Sequence, residues 1–389
     1  MKKLLIFILL FAPLAVNAVA AGAGEEAEQI LDRQMRQAEV GVLSEQLERL
    51  KNNDFGQIIP DFNIAELSAS LTRGEWQWNI PDILRRAFAF FCKELLLSVK
   101  VMLSLIALAL LCALTENLQS GFSRGGIGGA AFPVCFFLIA SVAVKTFTGA
   151  VAAAYAAIDG VLMFVTALIP TTLTLLAAGG AVMSAGVFHP VLMLSVQVVT
   201  LTVKSVVLPL TLVSAALSVA DGLGEREGAG RLASSLGSAV KWIMGVLLTV
   251  FVGVVTVQSL AAPALDGLSV KTAKFAVGAV VPVVGSILAE SVDLVLGCSV
   301  ILKNAVGVAG LIAILSLCAA PVLRLAAQAV MFSAASALIA PIADKRAADL
   351  LARIGGAVTI VLVMVTVVAF MFIINLAIII GAGNTAAFF

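Results

Sequence analysis

From Phe88 onward the chain is a succession of apolar blocks separated by single polar residues, prolines or glycine runs. A bilayer's hydrocarbon core is about 30 Å thick, and about 20 apolar residues in a helix cross it. On that measure the pattern predicts spans over 95–115, 130–150, 158–178, 191–220, 242–262, 277–299, 305–317, 322–342 and 357–380. Several are imperfect. The 191–220 block is long for one crossing and carries Lys204 and Pro209, so it reads as kinked or as two half-helices. The 277–299 block is weak because Pro282, Glu290 and Asp293 fall within it, and a re-entrant passage is expected there. Pro170, Pro209, Pro282 and Pro321 are the candidate helix breaks, since proline lacks the amide donor that the helical ladder needs. The expectation is an all-α, polytopic membrane protein with about seven or eight membrane segments, some broken or re-entrant.

The residues ahead of the first block are different. MKKLLIFILLFAPLAVNAVAAG opens with Lys2 and Lys3, continues with a short apolar run over 4–16, and offers Ala18-Val19-Ala20 as a cleavage site. This is the layout of a secretory signal peptide, expected over 1–21, with a retained signal anchor as the alternative. Residues 22–91 are polar. Ile30, Leu31, Val40, Leu43, Leu47 and Leu50 recur at roughly helical spacing. They predict a small extracytoplasmic helical arm, with Trp76 and Trp78 near the membrane entry, where tryptophan is enriched. The membrane domain is then 92–381 and the C-terminal tail 382–389.

The positive-inside bias places loop 343–355, with Lys345, Arg346 and Arg353, in the cytoplasm. Lys271 and Lys274 point the same way. Both agree if 277–299 turns back on itself, whereas Arg85, Arg86 and Lys93, outside the first span, run against the bias.

Composition sharpens the class. Hydrophobic residues make up 61% of the chain and charged residues 12%, against about 45–50% and 25% in soluble domains. The formal net charge is +1, so no basic surface suggests nucleic acid. Cys92, Cys112, Cys135, Cys298 and Cys318 lie in or beside apolar blocks and read as packing residues. With one histidine and no Cys-x-x-Cys pair, no metal or other cofactor is expected. The glycine runs lack the Gly-Lys-Ser/Thr ending of a phosphate loop, so energy would have to come from a partner or a gradient. No hydrolase or metalloprotease signature lies in a span, and the expectation is a protein that is not an enzyme.

Candidate chemistry gathers in VVPVVGSILAESVDLVLGCSVILKNAVGVAG, residues 280–310. Charges at membrane depth are rare and usually face protein or water. Glu290 and Asp293, three apart, share a face of a helix, and a hairpin could return Lys303 and Asn304 to them. One reading is a polar site lining a pathway; the other is a structural ion pair or an interfacial helix with its charges among headgroups. His189, just before Pro190, reads as a proton relay or as the interfacial start of a helix. LIPTTLTLLAAGG, VLPLTLVSAALS and VVPVVGSILAES echo one another weakly, as broken-helix repeats of transporters do.

Six segments in order carry a resemblance: GGAVMSAGVFHPVL, VVLPLTLVSAALS, LTVFVGVVTVQS, KTAKFAVGAVVPVVG, LKNAVGVAGL and AFMFIINLAIIIGAGN. Together they make the chain resemble the stage III sporulation protein AE family of endospore-forming bacteria. The resemblance implies a multi-pass protein in the mother-cell membrane around the forespore. There it would be a permease-like part of a secretion-like channel complex. The implied partners are other stage III sporulation membrane proteins, including a secretion-type ATPase, and a forespore membrane protein, stage II sporulation protein Q. Lipid would surround it, no nucleic acid would be bound, and a homo-oligomer is compatible. The resemblance brings no catalytic residue. An autonomous secondary transporter and a membrane scaffold are the alternatives.

Overall fold

The computed structural model describes residues 80–122, 131–223, 228–280 and 285–382, with the backbone alone at 80, 116–122, 131–132, 260–280 and 285–295. The expected signal peptide, most of the arm and nearly all of the tail therefore lie outside the described residues.

Every described element is helical. α1 is Ile80–Phe122, α2 Ala131–Ala178 and α3 Val182–Thr202. A π-helical turn, Val203–Val207, joins α3 to α4, Leu208–Leu223. α5 is Gly228–Val280, α6 Gly285–Ile339 and α7 Lys345–Gly381. With α3, the π turn and α4 taken as one rod, six helices among the described residues are long and apolar enough to cross a membrane. Among the described residues the count is six, close to the approximate seven or eight expected, as neighbouring blocks fuse: 130–150 joins 158–178 in α2, and 305–317 joins 322–342 in α6.

The fusion has a local cause. Pro170 and Pro321 sit inside helices that continue through them. After Pro170, the Thr171, Thr172 and Thr174 hydroxyls donate to carbonyls of the preceding turn, those of Ala167, Leu168, Ile169 and Pro170. These bonds brace the turn around Pro170, while the carbonyl it frees, that of Thr166, accepts none of them; packing against neighbouring helices lets membrane helices tolerate such a proline. Pro209 follows the π turn directly. Its missing donor cannot reach the Ser205 carbonyl, and the widened turn bonds the Leu208 amide to the Val203 carbonyl instead. Pro282 lies outside the described residues.

Among the described residues the expected re-entrant passage over 277–299 is not formed. α5 reaches Val280 and α6 starts afresh at Gly285, running on as one helix of 55 residues. At about 1.5 Å per residue such a helix is ~80 Å long, well over the ~30 Å of hydrocarbon.

α2, α6 and α7 form the middle of the bundle. Half or more of the most apolar window of each is buried, against 22% for α1 and for α5. α6 and α7 pack antiparallel along the length of α7, from Ser336 donating to the Ala348 carbonyl near the turn to Gly307 against Ile380 at the far end. A Cβ at Gly307 would collide with Ile380, and one at Gly310 with Leu376 and Leu168. Small residues at these crossings bring the backbones close, which is how helices associate where no hydrophobic drive exists between them. Gly180, at φ 90°, makes the tight turn from α2 to α3 that an L side chain would strain. Phe147, Phe188, Phe332 and Phe372 fill the space between.

Candidate functional site

Lys303 is the predicted site residue with the fullest surroundings. It is 1% exposed and lies on α6 beside the end of α7. Its ammonium donates to the Ile380 carbonyl at 2.9 Å and to the Ala382 carbonyl. The last carbonyls of a helix have no partner within it and carry the negative end of the helix dipole, so a cation there satisfies both. The hairpin expected to return Lys303 to Glu290 and Asp293 is absent. All three are on the same helix, with roughly 20 Å of axial rise between Lys303 and Glu290 and roughly 15 Å between Lys303 and Asp293. The side chains of Glu290 and Asp293 lie outside the described residues.

Asn304, the next residue, is 8% exposed, and its Oδ1 has no hydrogen-bond partner among the described residues. Asn375 on α7 is 1% exposed, with both amide atoms in the same state. An unsatisfied buried polar group costs about 1–3 kcal/mol, so the two amides mark polar positions held inside apolar packing. Asn375 was legible only as one polar letter in FIINLAIII.

A second polar centre lies midway along the bundle. Lys204 in the π turn donates to Asp159 of α2 at 2.5 Å, and the Tyr155 hydroxyl donates to the Lys204 carbonyl at 2.9 Å. The Lys204 and Asp159 side chains are 32% and 45% exposed. π turns are frequent at functional positions because they re-aim a side chain within an otherwise regular helix. Here the turn sets Lys204 against its counter-ion. The pattern singled out Lys204 only as an interruption and did not single out Asp159, which sat at the edge of the 158–178 block. A second ion pair, Arg324 of α6 to Glu94 of α1 at 3.0 Å, pins the peripheral helix to the middle, beside the contact of Phe90 with Ala320.

The third feature is a cleft of about 1000 Å³ at the end of the bundle where α4 passes into α5 and α6 into α7. Arg231, Lys241, Lys345, Arg346 and Arg353 line it together with Asp221, Asp344 and Asp349. Arg353 donates to Asp221 at 2.8 Å, and the other oxygen of Asp221 accepts from the Gly230 amide at 2.7 Å. Asp344 caps α7 by accepting from the Arg346 amide. From Gly228, GAGRLASSLGSAVKW forms the start of α5 on one side of the cleft. His189 is exposed and lies in the interior of α3, not at its start.

The geometry therefore gives six apolar rods with charge at three levels. The family model for stage III sporulation protein AE matches residues 62–383. This chain belongs to the stage III sporulation protein AE family. It is similar along its length to the stage III sporulation protein AE of Bacillus subtilis (strain 168), at 29% identity over 388 residues, covering 98% of this chain and 97% of that one. No solved structure matches. Family membership spans all six apolar helices, so the Asp159–Lys204 pair, the Lys303 cap and the charged cleft all belong to the family's part of the chain.

Proposed function

We propose that this protein is a multi-pass membrane component of a secretion-like channel complex that links mother cell and forespore and is needed for spore formation. The observation that carries this reading is family membership across a bundle of six apolar helices. The bundle supports it. An ion pair midway along α2 and α3–α4 is left part-exposed, and α1 and α5 keep most of their apolar surface uncovered. Polar groups at depth suit a pathway, and bare apolar faces suit lipid and neighbouring membrane proteins. In this reading the chain catalyses no reaction and binds no cofactor. Its partners are other stage III sporulation membrane proteins, a secretion-type ATPase among them, and a forespore membrane protein. Its place is the mother-cell membrane around the forespore.

The full chain, tagged and expressed in a sporulating host that lacks its own copy, should restore spore yield. It should also co-purify with the other stage III membrane proteins. Full spore yield without the chain would overturn the reading. Solute uptake by the chain reconstituted alone in liposomes would replace it with that of an autonomous transporter.

A further inference from the structure

The outer faces of the helices are not alike. α1 presents Leu96, Leu103, Leu110 and Leu114 at 52–70% exposure, which is the dress of a helix against lipid. α2 presents large apolar side chains at Val134, Phe137 and Leu138 and again at Met163, and none across 139–162. That stretch is roughly 35 Å long, enough to cross the hydrocarbon. Its exposed residues include Ser141, Lys145, Thr148, Ala152 and Ala156, and Asp159 follows on the same face. The large side chains, Phe147, Val151 and Ile158 among them, turn inward.

A face with this sequence does not suit lipid. Lys145 is exposed and forms no ion pair among the described residues. The Asp159–Lys204 pair remains 45% and 32% open. Small residues alone would fit a helix–helix contact. Covering an uncompensated cation and a half-hydrated ion pair with protein carries a desolvation penalty that water does not. We infer that the α2 face from Ser141 to Asp159 borders water, as one wall of a polar passage inside the membrane. This rests on the channel reading and deepens it, by placing the wall on α2 and by naming small hydrophilic or charged species as what it would pass.

Cysteine accessibility in the full chain, in membranes from sporulating cells with the partners present, tests it. Ala152→Cys and Ala156→Cys add a thiol to the face; Leu103→Cys and Leu110→Cys add one to the apolar face of α1. Each is read as labelling above that of the native cysteines in variants with wild-type protein level and spore yield. A membrane-impermeant cationic thiol reagent should modify the α2 positions on the order of tenfold faster than the α1 positions, because the reactive thiolate forms in water. If only a lipid-soluble maleimide reacts at Ala152→Cys and Ala156→Cys, the face borders lipid and the inference falls. If neither reagent reacts there, another protein covers it, and the inference falls equally. Co-purification of the partners in the same membranes separates either failure from failure of the channel reading itself.

Discussion

A charge inside an apolar helix is settled by what it touches. Lys303 touches the last carbonyls of α7. Lys303→Met keeps the volume of the side chain and removes the donor, leaving the Ile380 and Ala382 carbonyls short of a partner. The expected loss is about 1–3 kcal/mol, concentrated where α7 ends. Hydrogen exchange should show protection lost around 378–382 and unchanged at the Asp344 cap; uniform loss along α7 would contradict a local capping role. Asp159 and Lys204 behave as a pair. Asp159→Asn or Lys204→Met alone leaves the partner uncompensated, whereas the double variant removes both charges. Because the pair is part-exposed, the expected coupling is modest, on the order of 1 kcal/mol. Thermal unfolding in detergent should find the double variant more stable than the sum of the single losses predicts. Simple additivity would mean that the two side chains do not depend on each other. Lys303 stood out in the sequence because a lysine within an apolar run has few explanations. Asp159 did not, because Asp159-Gly160 read as the edge of a span. Only the continuity of α2 moves it to mid-helix.

At the level of elements, the all-helical class and the apolar core of each span could be read from periodicity and length. The ends could not. Whether a proline or glycine stops a helix depends on its neighbours: hydroxyls follow Pro170, a π turn precedes Pro209, and Gly307 and Gly310 serve the α6–α7 crossing. The π turn shows only in the backbone, and Ile380, Leu376 and Leu168, which meet the two glycines, are far from them in sequence. The crossing gives a direct contrast. Gly307→Ala sets a Cβ against Ile380, while Gly356→Ala on α7 meets nothing within 4 Å. Overpacking a tight contact typically costs about 1–3 kcal/mol. An open helical glycine replaced by alanine gains roughly 0.5–1 kcal/mol in helix preference. Melting of the two variants should move in opposite directions, and equal shifts would show that α6 and α7 are not in close contact at Gly307.

At the scale of the whole molecule, one crossing by each of the six apolar helices described would put the start of α1 and the end of α7 on the same side of a membrane. The end of α4, the start of α5 and the turn 340–344 then share the opposite side with the charged cleft. Arg231, Lys345, Arg346 and Arg353 cluster there, and the positive-inside bias makes that side the cytoplasm. Lys271 and Lys274, expected with loop 343–355, instead lie toward the far end of α5. No re-entrant turn is needed to reconcile them, because orientation follows the larger cationic group around the cleft. A reporter fused after Phe389 should therefore be extracytoplasmic: alkaline phosphatase active, a cytoplasm-dependent fluorescent protein dark. The same reporters inserted at 224–227 and at 340–344 should give the opposite pattern. A fluorescent C-terminal fusion would mean either an odd number of crossings or an inverted bundle. A reporter inserted ahead of α1 tells these apart, since inversion moves that end into the cytoplasm and an odd count leaves it outside.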